Sequence, residues 1–287
     1  MRPLGPHRLA MVDRENGRVV LFDSAGRILD AVGRTGDGPG EFRFPADVVA
    51  LSDSSLAIVD PVSMRVTLLS PQGAFRSVFP TSGFAGRRAA ALPGGRLALA
   101  GLNRAGRGYK LLAVYGPQGD LERYAFEAPQ LLVSLTPRID DAVVGATSDG
   151  TVYLVPAALP KLFVLEPEKE LVVDLRLPAD LWHQLEPPRV APQTLEDVRT
   201  WVEAGSVLTG GGLFGDSLLA LGWRTGRDRF EQWHLGLLSL HLEKGLLLTH
   251  LPGPLLGINS QTVWLLRRQT AEANLLALYG CKLGGAL

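Results

Sequence analysis

The sequence is poor in the features that most readily reveal a chemical function. It holds one cysteine, Cys281, so no intrachain disulfide can form, and we expect a small buried apolar residue there rather than a reactive thiol. The formal net charge is zero, from 29 basic and 29 acidic residues, so bulk charge predicts no polyanionic partner. No apolar run reaches the roughly 18 residues that a membrane-spanning helix needs. Residues 1–10 contain no apolar signal-peptide core.

What the sequence does contain is an internal repeat. Residues 9–13, Leu-Ala-Met-Val-Asp, match residues 56–60, Leu-Ala-Ile-Val-Asp, at an offset of 47 residues, and Gly26 matches Gly73 at the same offset. The shared unit is a strand ending in Asp, a short loop, a second strand, a glycine turn and a third strand. Strand-rich self-similarity with a period of about 40–50 residues is typical of a β-propeller with one repeat per blade.

Followed along the chain, the repeat predicts an all-β, six-bladed β-propeller of four-stranded antiparallel blades that forms a single domain over residues 1–287. The first blade lacks an innermost strand and the last lacks an outermost strand. One segment upstream of Met1 would supply both, so we expect a chain that is incomplete at its N-terminus. The predicted blades occupy residues 1–32, 47–80, 88–127, 141–177, 206–251 and 255–287.

Residues 178–205 interrupt the repeat as one short helical insertion. Thr194-Leu195-Glu196-Asp197 has the pattern of a capped helix start, and the helix is expected to run to about Glu203 with Trp201 on one side. We favour a structural plug over a channel or a blade edge, with a functional lid as the alternative.

The linker between the first two repeats is rich in glycine. Its residues Gly36-Asp37-Gly38-Pro39-Gly40-Glu41-Phe42 fit neither a helix nor a regular strand, and they predict an ordered crossover between blades. A phosphate cradle would need a helix to follow, and a strand follows instead. We therefore expect Glu41 to bind loop amides and Phe42 to pack between blades.

The linker motif, followed by Pro45, a strand ending in Val59-Asp60, and then Arg65-Val66, resembles the NHL repeat of bacterial six-bladed β-propeller proteins. The similarity is strongest over residues 7–80. This resemblance implies a propeller fold and a binding platform for proteins or RNA. Related six-bladed propellers include calcium-dependent lactonases and metal-dependent lyases, and many bacterial members are exported or lipid-anchored.

Support for catalysis is thin in the residues themselves. No Gly-x-Ser-x-Gly elbow occurs and the histidines, including His234 and His241, lack metal-ligand spacing, so we expect them at solvated or edge positions. Asp47, Asp141 and Asn259 lie on predicted innermost strands and could hold calcium, or they could cap strand ends. The prediction is no cofactor, with calcium as the alternative.

Charge segregation gives the better functional signal. The loops between second and third strands share one predicted face, the top face, and basic residues outnumber acidic ones there. Arginine interleaved with aromatic residues suits carboxylates, planar anions or a protein hot spot. An ordinary solvated rim is the competing interpretation. The predicted binding residues are Arg104, Arg107, Tyr109, Lys110, Trp223, Arg224, Arg227, Arg229, Trp233, Arg267 and Arg268.

These observations favour a non-catalytic ligand- or protein-binding propeller that uses its top face. The predicted partner is a protein, a peptide or a small anionic ligand rather than nucleic acid, and the chain is expected to act as a monomer. The alternative is a metal-dependent hydrolase or lyase with its site in the channel. The family resemblance adds an exported or periplasmic location.

Overall fold

The computed structural model describes residues 2–4, 7–135, 141–189, 192–225, 232–240, 245–251, 255–258, 262–268 and 276–282. Contacts divide the chain into two compact units. Unit 1 comprises Met1–Pro129, Val144–Leu154 and Phe163–Leu171, and unit 2 comprises Gln130–Val143, Val155–Leu162 and Val172–Leu287. The single-domain assignment stays a prediction.

Unit 1 contains three complete antiparallel sheets, each with its strands in chain order. The first consists of β1 (Arg2–Pro3), β2 (Arg8–Asp13), β3 (Arg18–Asp23) and β4 (Ile28–Val32). The second consists of β5 (Asp47–Ala50), β6 (Leu56–Asp60), β7 (Arg65–Leu69) and β8 (Phe75–Pro80). The third consists of β9 (Arg88–Ala91), β10 (Leu97–Ala105), β11 (Gly108–Tyr115) and β12 (Leu121–Glu127).

The fourth sheet has residues in both units, and the last two sheets belong to unit 2. The fourth consists of β13 (Ala142–Ala146), β14 (Val152–Pro156), β15 (Lys161–Leu165) and β16 (Glu170–Asp174). The fifth consists of β17 (Val207–Phe214), β18 (Leu218–Thr225), β19 (Gln232–Ser239) and β20 (Gly245–Leu251). The sixth has three strands, β21 (Leu255–Ile258), β22 (Thr262–Arg268) and β23 (Leu276–Lys282).

The prediction of six four-stranded blades is therefore wrong, because five of the sheets have four strands and form five blades. The sheet of β21–β23 has no fourth strand among the described residues. The expectation that the first blade lacks its innermost strand is also wrong. Arg2 and Pro3 pair with Ala10 and Leu9 and complete that blade as β1.

Strand composition explains the packing of unit 1. All five residues of β6 are buried, as expected for a strand covered on both faces by neighbouring blades. Two apolar clusters form the described core of this unit: one is centred on Phe42, Val48, Ile58 and Leu69, and the other on Phe84, Leu99 and Tyr115. The turns between third and fourth strands carry Gly26, Gly73 and Gly119 at φ of 81°, 90° and 82°, which confirms the predicted glycine turns.

Among the described residues, two α-helices interrupt the strands, and not one. The short helix α1 (Gln130–Leu135) was not predicted, and its Leu132 and Leu135 are buried. The helix α2 (Leu195–Glu203) was predicted, and Thr194 and Asp197 form the expected capping box at its start. No helix within the described ranges is both long and apolar enough to cross a membrane.

Candidate functional site

The repeated aspartates serve different contacts in the two repeats. Asp60 is fully buried and accepts hydrogen bonds from the backbone N–H of Arg43 at 2.8 Å and from the Ser63 hydroxyl at 2.9 Å. The equivalent residue of the first repeat, Asp13, instead accepts a hydrogen bond from the Arg18 Nε at 2.8 Å. That contact, together with Asn16, lowers the pKa of Asp13. Asp60 thus anchors the crossover to the second blade, whereas Asp13 makes a local contact.

The glycine-rich crossover has the roles that the sequence predicts. The Glu41 carboxylate accepts from the Gly38 N–H at 2.9 Å and from the Arg34 Nε at 2.7 Å, and these bonds lower its pKa. Phe42 is fully buried in the core of unit 1. Gly33 has φ of +93°, and a Cβ there would lie 2.3 Å from the Phe42 ring. The crossover is therefore built to fix blade packing.

Asp47 joins the innermost strands of three blades. The buried carboxylate accepts from the Arg2 Nε at 2.8 Å and from the Ala89 N–H at 2.9 Å, while the second nitrogen of the Arg2 fork also bonds it. Burial by itself would raise the pKa of Asp47, but the charge and hydrogen bonds of Arg2 outweigh it and the pKa is lowered. This arrangement is an ion pair and not a set of free oxygen ligands.

The described residues give the calcium alternative no support. Within the described ranges no group of three or more histidine, cysteine, aspartate or glutamate side chains is placed to hold a metal ion. Asp141 accepts a hydrogen bond from the Ala142 N–H at 2.8 Å, and Asn259 lies outside the described residues. The absence of a cofactor stays a prediction.

The hairpin of β10 and β11 carries four of the predicted binding residues. Arg104 and Tyr109 are direct cross-strand partners, and both side chains are exposed. A register shift between Ala100 and Asn103 separates this end of the hairpin from the regular part of the blade. The tip of this hairpin has two residues, and Gly106 is the first of them. Gly106 has φ of 62°, and glycine is favoured at this position of a type II′ turn.

The cations of this hairpin differ in how they are paired. Lys110 forms an ion pair with Glu127 on β12, so its charge is locally compensated. Arg107 lies exposed at the tip beside Gly106. No described residue forms an ion pair with Arg104 or Arg107. Among the described residues, these two arginines therefore have no ion-pair partner, and they lie beside an exposed tyrosine ring.

Trp223 and Arg224 occupy a different environment from the exposed one expected of them. Trp223 is fully buried, its indole N–H donates to the Leu181 carbonyl at 2.9 Å, and its ring lies 5.4 Å from that of His234. Arg224 is 9% exposed and donates to the Val202 carbonyl. Both carbonyls belong to the insertion of residues 178–205 between the fourth and fifth sheets, which we call the excursion and which covers this end of the β18–β19 hairpin.

His234 belongs to the same buried network, although the sequence predicts a solvated or edge position for it. The Thr225 hydroxyl donates to the Leu181 carbonyl at 2.6 Å and lies 2.9 Å from His234 Nε2. Since that hydroxyl has a single proton, His234 Nε2 must be the donor to Thr225. This network fixes Leu181 against the β18–β19 hairpin, and the plug interpretation stays a prediction.

The remaining predicted residues are placed only in part. Trp233 is half-buried on β19, opposite Arg224 and Leu251. Arg227 and Arg229 lie outside the described residues. Arg267 and Arg268 end β22, and their side chains are outside the described part of the chain. Their binding role stays a prediction.

The turn between β6 and β7 is a feature that the sequence analysis missed. Val62 and Met64 are 57% and 47% exposed. Met64 has φ of 47°, a left-handed conformation that costs a non-glycine residue free energy. The pattern Pro-Val-Ser-Met contains the signal, since two apolar residues occupy a loop that otherwise favours polar ones.

This turn and the β10–β11 hairpin flank the same crossover segment. The Thr81 N–H donates to the Met64 carbonyl at 2.9 Å, and the Ala85 N–H donates to Asn103 Oδ1 at 2.9 Å. Between these two anchors, Ser82 and Gly83 are exposed. We name the exposed side chains on either side of this crossover the loop surface, which consists of Val62, Met64, Arg104, Arg107 and Tyr109.

Comparison with known proteins identifies a fold and no family. No family model matches the chain, and no curated protein matches it. Similar solved structures include a DUF4221 family member from Bacteroides vulgatus, with TM-score 0.63, 9% identity and coverage of 92% of this chain and 85% of that one. A protein from Bacteroides fragilis named as a candidate exported protein has TM-score 0.62, 11% identity and coverage of 91% and 77%.

A virginiamycin B lyase from Staphylococcus aureus is also similar, with TM-score 0.52, 10% identity and coverage of 94% of this chain and 73% of that one. At these identities the likeness concerns the fold alone. Together with the five four-stranded sheets, it shows that this chain has a β-propeller fold.

Proposed function

We propose that this chain is a non-catalytic binding propeller that recognises an acidic protein or peptide through the β10–β11 hairpin. The observation that carries the proposal is the pair of exposed arginines, Arg104 and Arg107, with Tyr109 directly across from Arg104. Guanidinium groups bind carboxylates in a bidentate manner, and a tyrosine ring adds rigid contact area at low entropic cost.

The proposal omits Trp223 and Arg224 from the binding surface because both are buried against the excursion. The proposal also includes an NHL-like family assignment, an exported or periplasmic location and a monomeric state. The likeness to a candidate exported protein is consistent with that location. The hydrolase or lyase alternative has no specific observation in its favour within the described residues.

The test is a fluorescence anisotropy titration with labelled poly-L-glutamate as the probe. The double variant Arg104→Glu/Arg107→Glu should weaken binding by at least about tenfold, because two attractive contacts become repulsive. The control, Arg27→Glu/Arg76→Glu, makes the same change in net charge on the outer parts of the first two blades. It should bind as the wild type does.

Two outcomes would overturn the proposal. One is a wild-type protein that does not bind poly-L-glutamate at low ionic strength. The other is equal loss of binding in the control, which would show that only net charge matters. A labelled oligothymidylate is titrated in parallel, and tighter binding of that probe would replace the acidic partner by single-stranded nucleic acid.

A further inference from the structure

The turn that exposes Val62 and Met64 adds an apolar element to the basic hairpin. Methionine adapts its shape to varied apolar ligands, and exposed apolar side chains next to a polar rim are typical of contact sites. The left-handed conformation of Met64 points the same way, because strain of this kind concentrates at functional sites. The turn therefore does not have the character of an ordinary solvated loop.

The geometry of the chain limits the distance between the β6–β7 turn and the β10–β11 hairpin. Residues 81 and 85 are four residues apart and can be separated by no more than about 14 Å. Each is held at 2.9 Å by its flanking element, Met64 on one side and Asn103 on the other. The Met64 carbonyl oxygen and Asn103 Oδ1, which anchor the two halves of the loop surface, thus lie within about 20 Å of each other, a gap that about six extended peptide residues span.

A small anion could contact the arginines but could not also cover the apolar turn. Single-stranded nucleic acid would use the arginines and Tyr109 for backbone neutralisation and stacking, and the aliphatic side chains of Val62 and Met64 offer no stacking platform. A peptide that combines an apolar anchor with acidic residues matches both halves of the surface in charge and polarity.

We propose that the ligand of the loop surface is a peptide segment with an apolar anchor, seated on Val62 and Met64, followed by acidic residues that pair with Arg104 and Arg107. This proposal rests on the proposed function, since it names the partner for the same hairpin. Ser82 and Gly83, which lie between the two contacts along the chain, form a tight turn closed by the bond from the Phe84 N–H to the Thr81 carbonyl at 2.9 Å.

The experiment compares two labelled peptides by fluorescence anisotropy. One carries a leucine–phenylalanine anchor, a short serine spacer and a run of glutamates, and the other replaces the anchor by serines. The anchored peptide should bind the wild type about ten- to a hundredfold more tightly, as expected for burial of two apolar side chains. Val62→Ser/Met64→Ser should abolish that difference and leave the affinity for the anchor-free peptide unchanged.

A second variant separates binding from folding. Met64→Gly removes the apolar side chain and also relieves the left-handed strain, so it should not lower the unfolding midpoint. It should nevertheless lose a large part of the gain from the anchor. A merely structural role for Met64 would give the opposite pattern, with binding retained.

The possible failures are distinguishable. If neither peptide binds the wild type, the proposed function itself is wrong. If both bind equally, or if Val62→Ser/Met64→Ser retains the gain from the anchor, the acidic contact stands and the apolar anchor is refuted. If the anchored peptide binds Arg104→Glu/Arg107→Glu as tightly as the wild type, the two halves do not share a ligand and this proposal is overturned.

Discussion

Asp47→Asn is a substitution for which the structure gives a large stability effect. The carboxylate is almost wholly buried and accepts hydrogen bonds from Arg2 and from the Ala89 N–H. Asparagine keeps the size and one acceptor oxygen but loses the charge that compensates Arg2. Breaking a buried ion pair costs about 3–5 kcal/mol. Because the Arg2 side chain retains 21% exposure and can be partly rehydrated, we expect the lower end, about 3 kcal/mol.

Removing Arg2, the other member of this ion pair, should also destabilise the protein. In Arg2→Met the buried carboxylate of Asp47 loses its counter-charge, and burial then raises its pKa above the ordinary value of 3.8. At pH 7 the penalty for the unpaired buried charge is limited to about 4 kcal/mol, because the carboxyl group can instead take up a proton at a cost of 1.36 kcal/mol per pH unit, and the lost contacts of Arg2 add to that penalty. The double variant should be less destabilised than the sum of the two single variants.

The dependence on pH has a defined sign. The pKa of Asp47 is lowered in the folded protein, so its stabilising contribution is fully present above pH 3.8 and is lost as the pH falls through the folded-state pKa. The difference in stability between wild type and Asp47→Asn should therefore be constant near neutral pH and should shrink below about pH 4.

The assay is urea unfolding followed by circular dichroism across this pH range. Asp174→Asn is the control, since Asp174 forms an exposed ion pair with Lys161 and its loss should leave the unfolding midpoint close to that of the wild type. A wild-type midpoint in Asp47→Asn at pH 7 would refute the reasoning. So would a stability difference that grows as the pH falls.

Three further substitutions test the packing of the loops. Gly33→Ala should destabilise the protein by about 3 kcal/mol in urea unfolding, because the residue has positive φ and its new Cβ would meet the Phe42 ring; a loss below about 1 kcal/mol would contradict this geometry. Trp223→Phe removes the indole bond to the Leu181 carbonyl and should speed limited proteolysis within the excursion, with unchanged cleavage as the contrary result. Thr194→Ala should cost about 1 kcal/mol in thermal unfolding, whereas replacement by serine should not.

Local signals in the sequence were sufficient for much of the fold. The repeat at an offset of 47 residues located the strands of the first two blades except β1, and the glycine-rich linker predicted the roles of Glu41 and Phe42 correctly. The capping box at Thr194 located α2. Each of these features depends on residues that are close in the chain, where turn chemistry and periodicity act directly.

The errors concern contacts between distant residues. A two-residue strand such as β1 has no periodicity, and the pairing of Arg2 with Asp47, 45 residues away, leaves no trace in composition. The burial of Trp223 depends on Leu181, 42 residues earlier in the chain. The prediction was least accurate for the candidate site. An exposed basic loop and a basic loop that another segment covers have the same sequence pattern, so the sequence does not distinguish them.

The Arg2–Asp47 ion pair also sets an order of assembly. Arg2 lies near the start of the chain, yet its partners are Asp47 in the second blade and the Ala89 carbonyl in the third, 45 and 87 residues later. Contacts between such distant residues form late, because the entropy of closing a long loop must be overcome first. The Arg2 side chain therefore gains its full set of contacts only after the second and third blades have folded, although β1 itself pairs locally with β2.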